Sequence, residues 1–290
     1  MILWQVIVLA IVQGLAELLP VSSSAHVVVT EKLMGLDPSS PEMTLLLVLL
    51  HTGTMFAVIL YFWKQWKQSF FSSARTFWRI IVRLIVATVI TVIVGEGLMK
   101  AIEKLFGHGQ KIEPEQFFGR LDLIAPALLA AGILILIAGW KSRGVAGSAF
   151  DTDGTPRPCL QQSSIIGAVQ GLCLPFRGFS RSGATISTGL LMNVARPQAE
   201  AFSFALAVLL TPPVVGREVL RLMKLRHLEG GAALGHAFVP GAIGMVCAFL
   251  AGLLALKWLS GWLETGKWYL FGIYCVFAAA GVAYLHHIGY

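Results

Sequence analysis

The feature that most constrains this chain is a succession of apolar stretches separated by short polar breaks. Six of them approach or reach the length of a bilayer crossing: 43–63, 84–98 or a little beyond, 123–140, 201–215, 235–259 and 268–285. A hydrocarbon core about 30 Å thick takes about 20 apolar residues of helix. Of the 290 residues, 13% are charged and 56% are hydrophobic. That charged share is about half that of a soluble domain, too little polar surface to coat a globule. The same balance excludes intrinsic disorder. The expected fold class is an all-α polytopic membrane protein.

The net charge of +7 fits lysine and arginine collected in cytoplasmic loops beside anionic headgroups. Nucleic acid is not an expected partner, because no basic, aromatic-studded soluble domain is present to hold it. Lys64, Lys67, Arg75, Arg79 and Arg83 read as one basic loop with no acidic residue, to be placed inside. Arg217, Arg221, Lys224 and Arg226 then fall outside and weaken the total bias. Cys159, Cys173, Cys247 and Cys275 are scattered, without the spacing of a zinc site or a disulfide framework. The first residues have no basic n-region and no small-residue cleavage site, so they are expected to be structural.

Two apolar stretches are interrupted in a matching way. Residues 2–19 carry Gln13 and Glu17 and stop at Pro20. Val21-Ser22-Ser23-Ser24-Ala25-His26 follows, and then 27–36, which is too short to cross. Residues 165–174 are broken by a polar run from Pro175 to Thr185 before 186–194 resumes. Two short apolar pieces around a polar turn read as a re-entrant hairpin. The string Ile11-Val12-Gln13-Gly14-Leu15 recurs as Ala168-Val169-Gln170-Gly171-Leu172, and each copy is followed by a hairpin and three spans. Three is odd, so the second copy enters the membrane with the opposite orientation, an inverted repeat. The expected organisation is one integral membrane domain over 1–290. A first repeat (1–140) has its hairpin at about 2–36, a connecting loop occupies 141–160, and a second repeat (161–290) has its hairpin at about 163–195.

Charges at membrane depth cost about 2.5–3.5 kcal/mol each on insertion scales, which makes Glu17 and Arg181 unlikely to be idle. One reading is a structural pair that neutralises itself and fixes the two hairpins. The hydroxyls, the imidazole and the glycines around the pair argue for more. Gly178 and Gly183 bracket Phe179-Ser180-Arg181-Ser182, so backbone N–H groups can approach an anion. A helix starting there aims its positive end at the same point, and Arg181 adds a planar fork suited to phosphate. Opposite lie Ser23, a candidate nucleophile, and Glu17, its base or a ligand for a divalent cation. His26, three residues beyond Ser23, is a candidate proton shuttle or acid for a leaving oxygen. Each serine taken alone is better explained by bonding to its own backbone.

The run Gln13-Gly14-Leu15-Ala16-Glu17-Leu18-Leu19-Pro20-Val21-Ser22-Ser23-Ser24-Ala25-His26 resembles the first signature of the undecaprenyl pyrophosphate phosphatase family, also called the bacitracin-resistance family. Gly178-Phe179-Ser180-Arg181-Ser182-Gly183-Ala184-Thr185 is similar to its second signature, and Ala201-Phe202-Ser203-Phe204-Ala205-Leu206-Ala207-Val208 to the segment that follows. The similarity runs over nearly the whole chain. It implies a bacterial inner-membrane enzyme, often dimeric, with six spans, two re-entrant hairpins and a site open to the periplasm. Such an enzyme removes the terminal phosphate of the C55 lipid pyrophosphate, commonly with Mg or Ca, to regenerate the carrier for peptidoglycan synthesis. Bacitracin resistance follows, because that antibiotic sequesters the pyrophosphate. The expected partners are this substrate, membrane lipids and a second copy of the chain.

Residue by residue, the resemblance puts the family's two acidic positions on Gln13 and Glu17, its serine on Ser23, its histidine on His26 and its arginine on Arg181. Phosphate contacts are expected from Arg181, Gly178, Ser180, Ser182, Gly183, Thr185, Ser22 and Arg177, and metal contacts from Glu17 and Gln13. Three departures stand out. Gln13 replaces a frequent glutamate, which weakens a two-carboxylate metal site. Ser24-Ala25 stands where Thr-Gly is usual. Pro175-Phe176-Arg177-Gly178 stands where Pro-Gly is usual, so the second turn is longer and carries an extra cation, either a second phosphate ligand or a headgroup contact. The rival function is an inverted-repeat transporter or flippase of a prenyl phosphate lipid, which needs binding groups but no nucleophile.

Overall fold

The computed structural model describes residues 2–37, 40–106, 120–142, 158–229 and 232–289, and the regular structure among them is helical. Six helices are long and apolar enough to cross a bilayer. They are α3 (Pro41–Ser69), α4 (Ala74–Phe106), α5 (Leu121–Lys141), α8 (Arg196–Glu229), α9 (Ala232–Glu264) and α10 (Tyr269–His287). Four are too short: α1 (Leu3–Leu18), α2 (Ser23–Leu33), α6 (Leu160–Cys173) and α7 (Arg181–Leu191). The short helices pack in pairs, α1 with α2 and α6 with α7.

Large apolar side chains such as Trp140, Phe277, Leu254 and Ile93 are exposed on the long helices, which is the expected surface where the solvent is lipid. The chain is a multi-pass membrane protein. Polar groups inside the bundle find partners. Ser260 Oγ donates to Glu200 at 2.6 Å, the Trp268 indole to Ser187 at 3.0 Å and the Trp66 indole to the Ala201 carbonyl at 3.2 Å. These satisfy groups that hydrocarbon cannot.

The two halves interlock through their first helices. α1 lies on α9 of the second half, and α6 lies on α4 of the first. The repeated glycines sit at these contacts. A Cβ on Gly14 would stand 2.7 Å from the Ala248 carbonyl oxygen, and one on Gly171 would stand 2.8 Å from that of Thr91. No side chain fits at either place, and small residues let membrane helices approach this closely.

Two expectations need correcting. The basic loop is mostly helix: α3 runs to Ser69 and α4 begins at Ala74, so Lys64, Lys67, Arg75, Arg79 and Arg83 lie on helix ends. Their aliphatic stems let the helices continue beyond the apolar segment while the charges reach water. α8 also continues through Pro212 and Pro213 to Glu229, where the sequence suggested a stop near 215. Next to these prolines, Thr211 Oγ1 donates to the Ala207 carbonyl at 2.7 Å, the kind of local bonding that makes proline tolerable in membrane helices. Of the expected connecting loop, 143–157 lies outside the described residues, as does 107–119 of the polar stretch before α5.

Candidate active site

Each short pair turns at a polar break, and the second helix of each pair starts at its turn. Pro20 ends the first run, and Ser22, with φ 68°, caps α2. In the second turn, Ser180 caps α7 by accepting the Gly183 N–H at 3.1 Å. Both helices therefore begin in the same region, with N–H groups that have no carbonyl one turn back. Gly178 has φ +105°, and a Cβ there would lie 2.5 Å from the Ile124 carbonyl oxygen, so glycine is required. Its N–H meets Ser24 Oγ at 3.4 Å, and Ser182 Oγ meets the Leu19 carbonyl at 3.4 Å. The two turns touch, as the sequence required.

Glu17 is the centre of the contact. Arg181 Nη2 donates to its Oε1 at 2.9 Å, across 164 residues of chain. Ser23 Oγ donates to Oε2 in a short bond, and Gln13 Nε2 donates to the same oxygen at 3.2 Å. The carboxylate and guanidinium are 15% and 24% exposed, open enough to be reached and enclosed enough for their charges to matter.

The other predicted residues divide. Ser22 and Ser24 line the first turn with their hydroxyls 3.3 Å apart. Ser180, Ser182, Gly183 and Thr185 lie in the first turns of α7, but their side chains serve packing. Ser180 caps, Ser182 bonds the first turn, and Thr185 bonds the Arg181 carbonyl at 2.8 Å and Ser203 at 2.6 Å. Backbone N–H groups are what this helix end offers an anion. His26 shares the turn with Ser23, but its nitrogens are engaged elsewhere. Nδ1 bonds the Ser22 carbonyl at 2.7 Å, and Nε2 lies 2.6 Å from the Tyr274 hydroxyl. The tyrosine hydroxyl can donate to or accept from Nε2, and the imidazole is fixed between its two partners. Arg177 stands on the second turn within electrostatic range of Glu31 of α2, which is fully buried.

Sequence reasoning missed three residues. His51 of α3 brings Nε2 to 3.6 Å from Glu17 Oε2. Glu31 lies within electrostatic range of Arg177, and Tyr274 of α10 stacks on His26 with ring centroids 5.6 Å apart. His51 and Glu31 had a signal, an ionisable group in an apolar stretch. Tyr274 had none, since a lone tyrosine in a span is ordinary.

The residues do not fit a divalent cation held by a carboxylate pair. Glu17 brings one carboxylate with both oxygens taken by protein donors, and Gln13 directs its amide N–H at it. Among the described residues no three His, Cys, Asp or Glu side chains gather as a cation site.

Comparison with known proteins shows what the chain is similar to. The family model described as bacitracin resistance protein BacA matches residues 6–281. A protein of Acinetobacter baylyi named undecaprenyl-diphosphatase 2 is 54% identical over 284 residues, covering 97% of this chain and 96% of that protein. Undecaprenyl-diphosphatases of Desulfosudis oleivorans and Acidiphilium cryptum are 33% and 32% identical, each over more than nine-tenths of both chains.

Proposed function

The chain belongs to the bacitracin resistance protein BacA family, and from that premise we propose how it hydrolyses undecaprenyl diphosphate to undecaprenyl phosphate and inorganic phosphate. The observation that carries the reading is the Ser23–Glu17–Arg181 chain of contacts. A hydroxyl aimed at a carboxylate is an activated nucleophile. A guanidinium on the other oxygen and two helix N-termini around it form a receptor for phosphate.

Ser23 Oγ attacks the terminal phosphorus as its proton passes to Glu17. The anhydride P–O bond breaks, and Glu17 returns that proton to the departing lipid phosphate. In the second half Glu17 takes a proton from water, whose oxygen attacks the phosphoserine, and gives it to Ser23 Oγ as inorganic phosphate leaves. Arg181 and the first N–H groups of α7 hold the charge that builds on the phosphoryl oxygens. This reading assigns the second phosphate to Arg177, the extra cation of the longer turn. Any Mg or Ca that the reaction uses would arrive with the substrate, since these residues do not fit one. A lipid carrier would bind the same headgroup with no use for the serine.

In this reading both short pairs are re-entrant and the halves are inverted repeats, supported by the exchange of α1 and α6 between halves. The site opens to the periplasm of the inner membrane. Lys64, Lys67, Lys141 and Arg196 share one end of the bundle, where Arg196 bonds the Ser142 carbonyl and Gln65 bonds that of Pro197. Basic ends lie inside. His51 is about 15 Å of helix from the Pro41 end of α3 and about 20 Å from Lys64, so the site lies nearer the outer face.

The test is phosphate release from undecaprenyl diphosphate by the purified protein in detergent. Release by the wild type and its loss in Ser23→Ala and Arg181→Ala are expected. Full release by either variant would remove that residue from the mechanism.

A further inference from the structure

His51 belongs to none of the motifs in the two turns, yet it reaches the carboxylate on which the reaction depends. It comes from α3, a long span, whereas Gln13, Glu17, Ser23 and Arg181 all come from the short helices. Its ring is held in place, with Nδ1 2.7 Å from the Leu47 carbonyl one turn back. Nε2 faces Glu17 Oε2 at 3.6 Å, and the side chain is 40% exposed, at the open side of the site.

Both ring nitrogens therefore face oxygens that only accept. The Leu47 carbonyl has no proton, and Glu17 already takes hydrogen bonds from Arg181, Ser23 and Gln13, which marks it as a carboxylate. His26 shows a different pattern, a carbonyl on one nitrogen and a tyrosine hydroxyl on the other. The site thus contains two imidazoles with different duties.

We propose that His51 is a positioning residue that holds Glu17 when the substrate draws Arg181 away. This rests on the phosphatase reading. Before substrate arrives, Arg181 Nη2 is spent on Glu17 Oε1. An incoming phosphate competes for that fork, and Ser23 leaves Glu17 as it attacks. Gln13 and His51 are then the donors that keep the carboxylate in register. Its distance of 3.6 Å is a poised contact that closes as Arg181 turns to phosphate.

The test compares His51→Gln with His51→Glu. Both lose the imidazole bond to Leu47 and fill similar space, so a merely structural role would suffer equally in both. They differ at Glu17, where the amide donates and the carboxylate repels. In the purified full-length protein, His51→Gln is expected to keep kcat within about fivefold of wild type, and His51→Glu to lose at least about a hundredfold, with KM within about threefold in both. Melting temperatures are measured alongside. Should His51→Glu not fold, His51→Leu replaces it, with kcat expected about tenfold below that of His51→Gln. Equal rates in the Gln and Glu (or Leu) variants, or a loss confined to KM, overturn the proposal. A wild type that releases no phosphate overturns the phosphatase reading and this inference with it. An active wild type with an equally active His51→Glu overturns the inference alone.

Discussion

At the scale of single residues, the site depends on which donors surround one carboxylate. Arg181 bonds Glu17 through one nitrogen of a planar fork, and that fork turns to phosphate when substrate binds. A lysine offers a point charge and cannot grip phosphate through two donors. Arg181→Lys is expected to lower kcat/KM by about a hundredfold or more, measured as phosphate release, since the fork's donors act on the transition state. Near-normal turnover would contradict the phosphate role. Gln13→Glu replaces a donor to Glu17 with a second carboxylate. The cation concentration for half-maximal activity is expected to fall about tenfold, because ligand charge sets the affinity for Mg and Ca. An unchanged Mg titration would show that this position does not control the metal response. Tyr274 fixes His26 through its hydroxyl. Tyr274→Phe is expected to cost only a few-fold in kcat, because the ring stays and one hydrogen bond is lost.

At the scale of elements, the glycines are where side chains cannot fit. Gly178→Ala adds a Cβ 2.5 Å from a carbonyl oxygen at φ +105°, a strain of about 1–3 kcal/mol that should displace the second turn. Thermal unfolding in detergent is expected at lower temperature, with activity falling in parallel; an unchanged melt would mean that the turn relaxes freely. The short helices were legible in the sequence because Glu17 and Arg181 are costly inside a membrane and each apolar piece around them is short. The span ends were not. Arg75, Arg79 and Arg83 look like a loop when charge alone is read, but α4 begins at Ala74 because a long basic side chain can ride on a helix and still reach water. The end expected near 215 was passed because α8 runs on through Pro212 and Pro213, and proline is tolerated inside membrane helices.

At the scale of the whole molecule, the site exists only because the halves interlock. Ser23 and Glu17 come from the first, Arg181 from the second, and α1 and α6 each lie on a span of the other. Repetition of the Gln-Gly-Leu string pointed to this pairing, whereas His51 and Tyr274 enter from spans whose depth and rotation no local pattern encodes. Orientation can be read directly. With Cys159, Cys173, Cys247 and Cys275 all replaced, Ser40→Cys is expected to react with a membrane-impermeant maleimide in cells with opened outer membranes, and Ser72→Cys only after lysis. The reverse pattern would turn the site toward the cytoplasm. The most direct measurement of the central claim is the stereochemical course at phosphorus, using an undecaprenyl diphosphate whose terminal group is a thiophosphate made chiral with two oxygen isotopes, hydrolysed in water carrying the third. Attack by Ser23 followed by attack by water inverts the centre twice, so the released thiophosphate should show retention. Inversion would mean that water attacks in one step and that Ser23 is not the nucleophile.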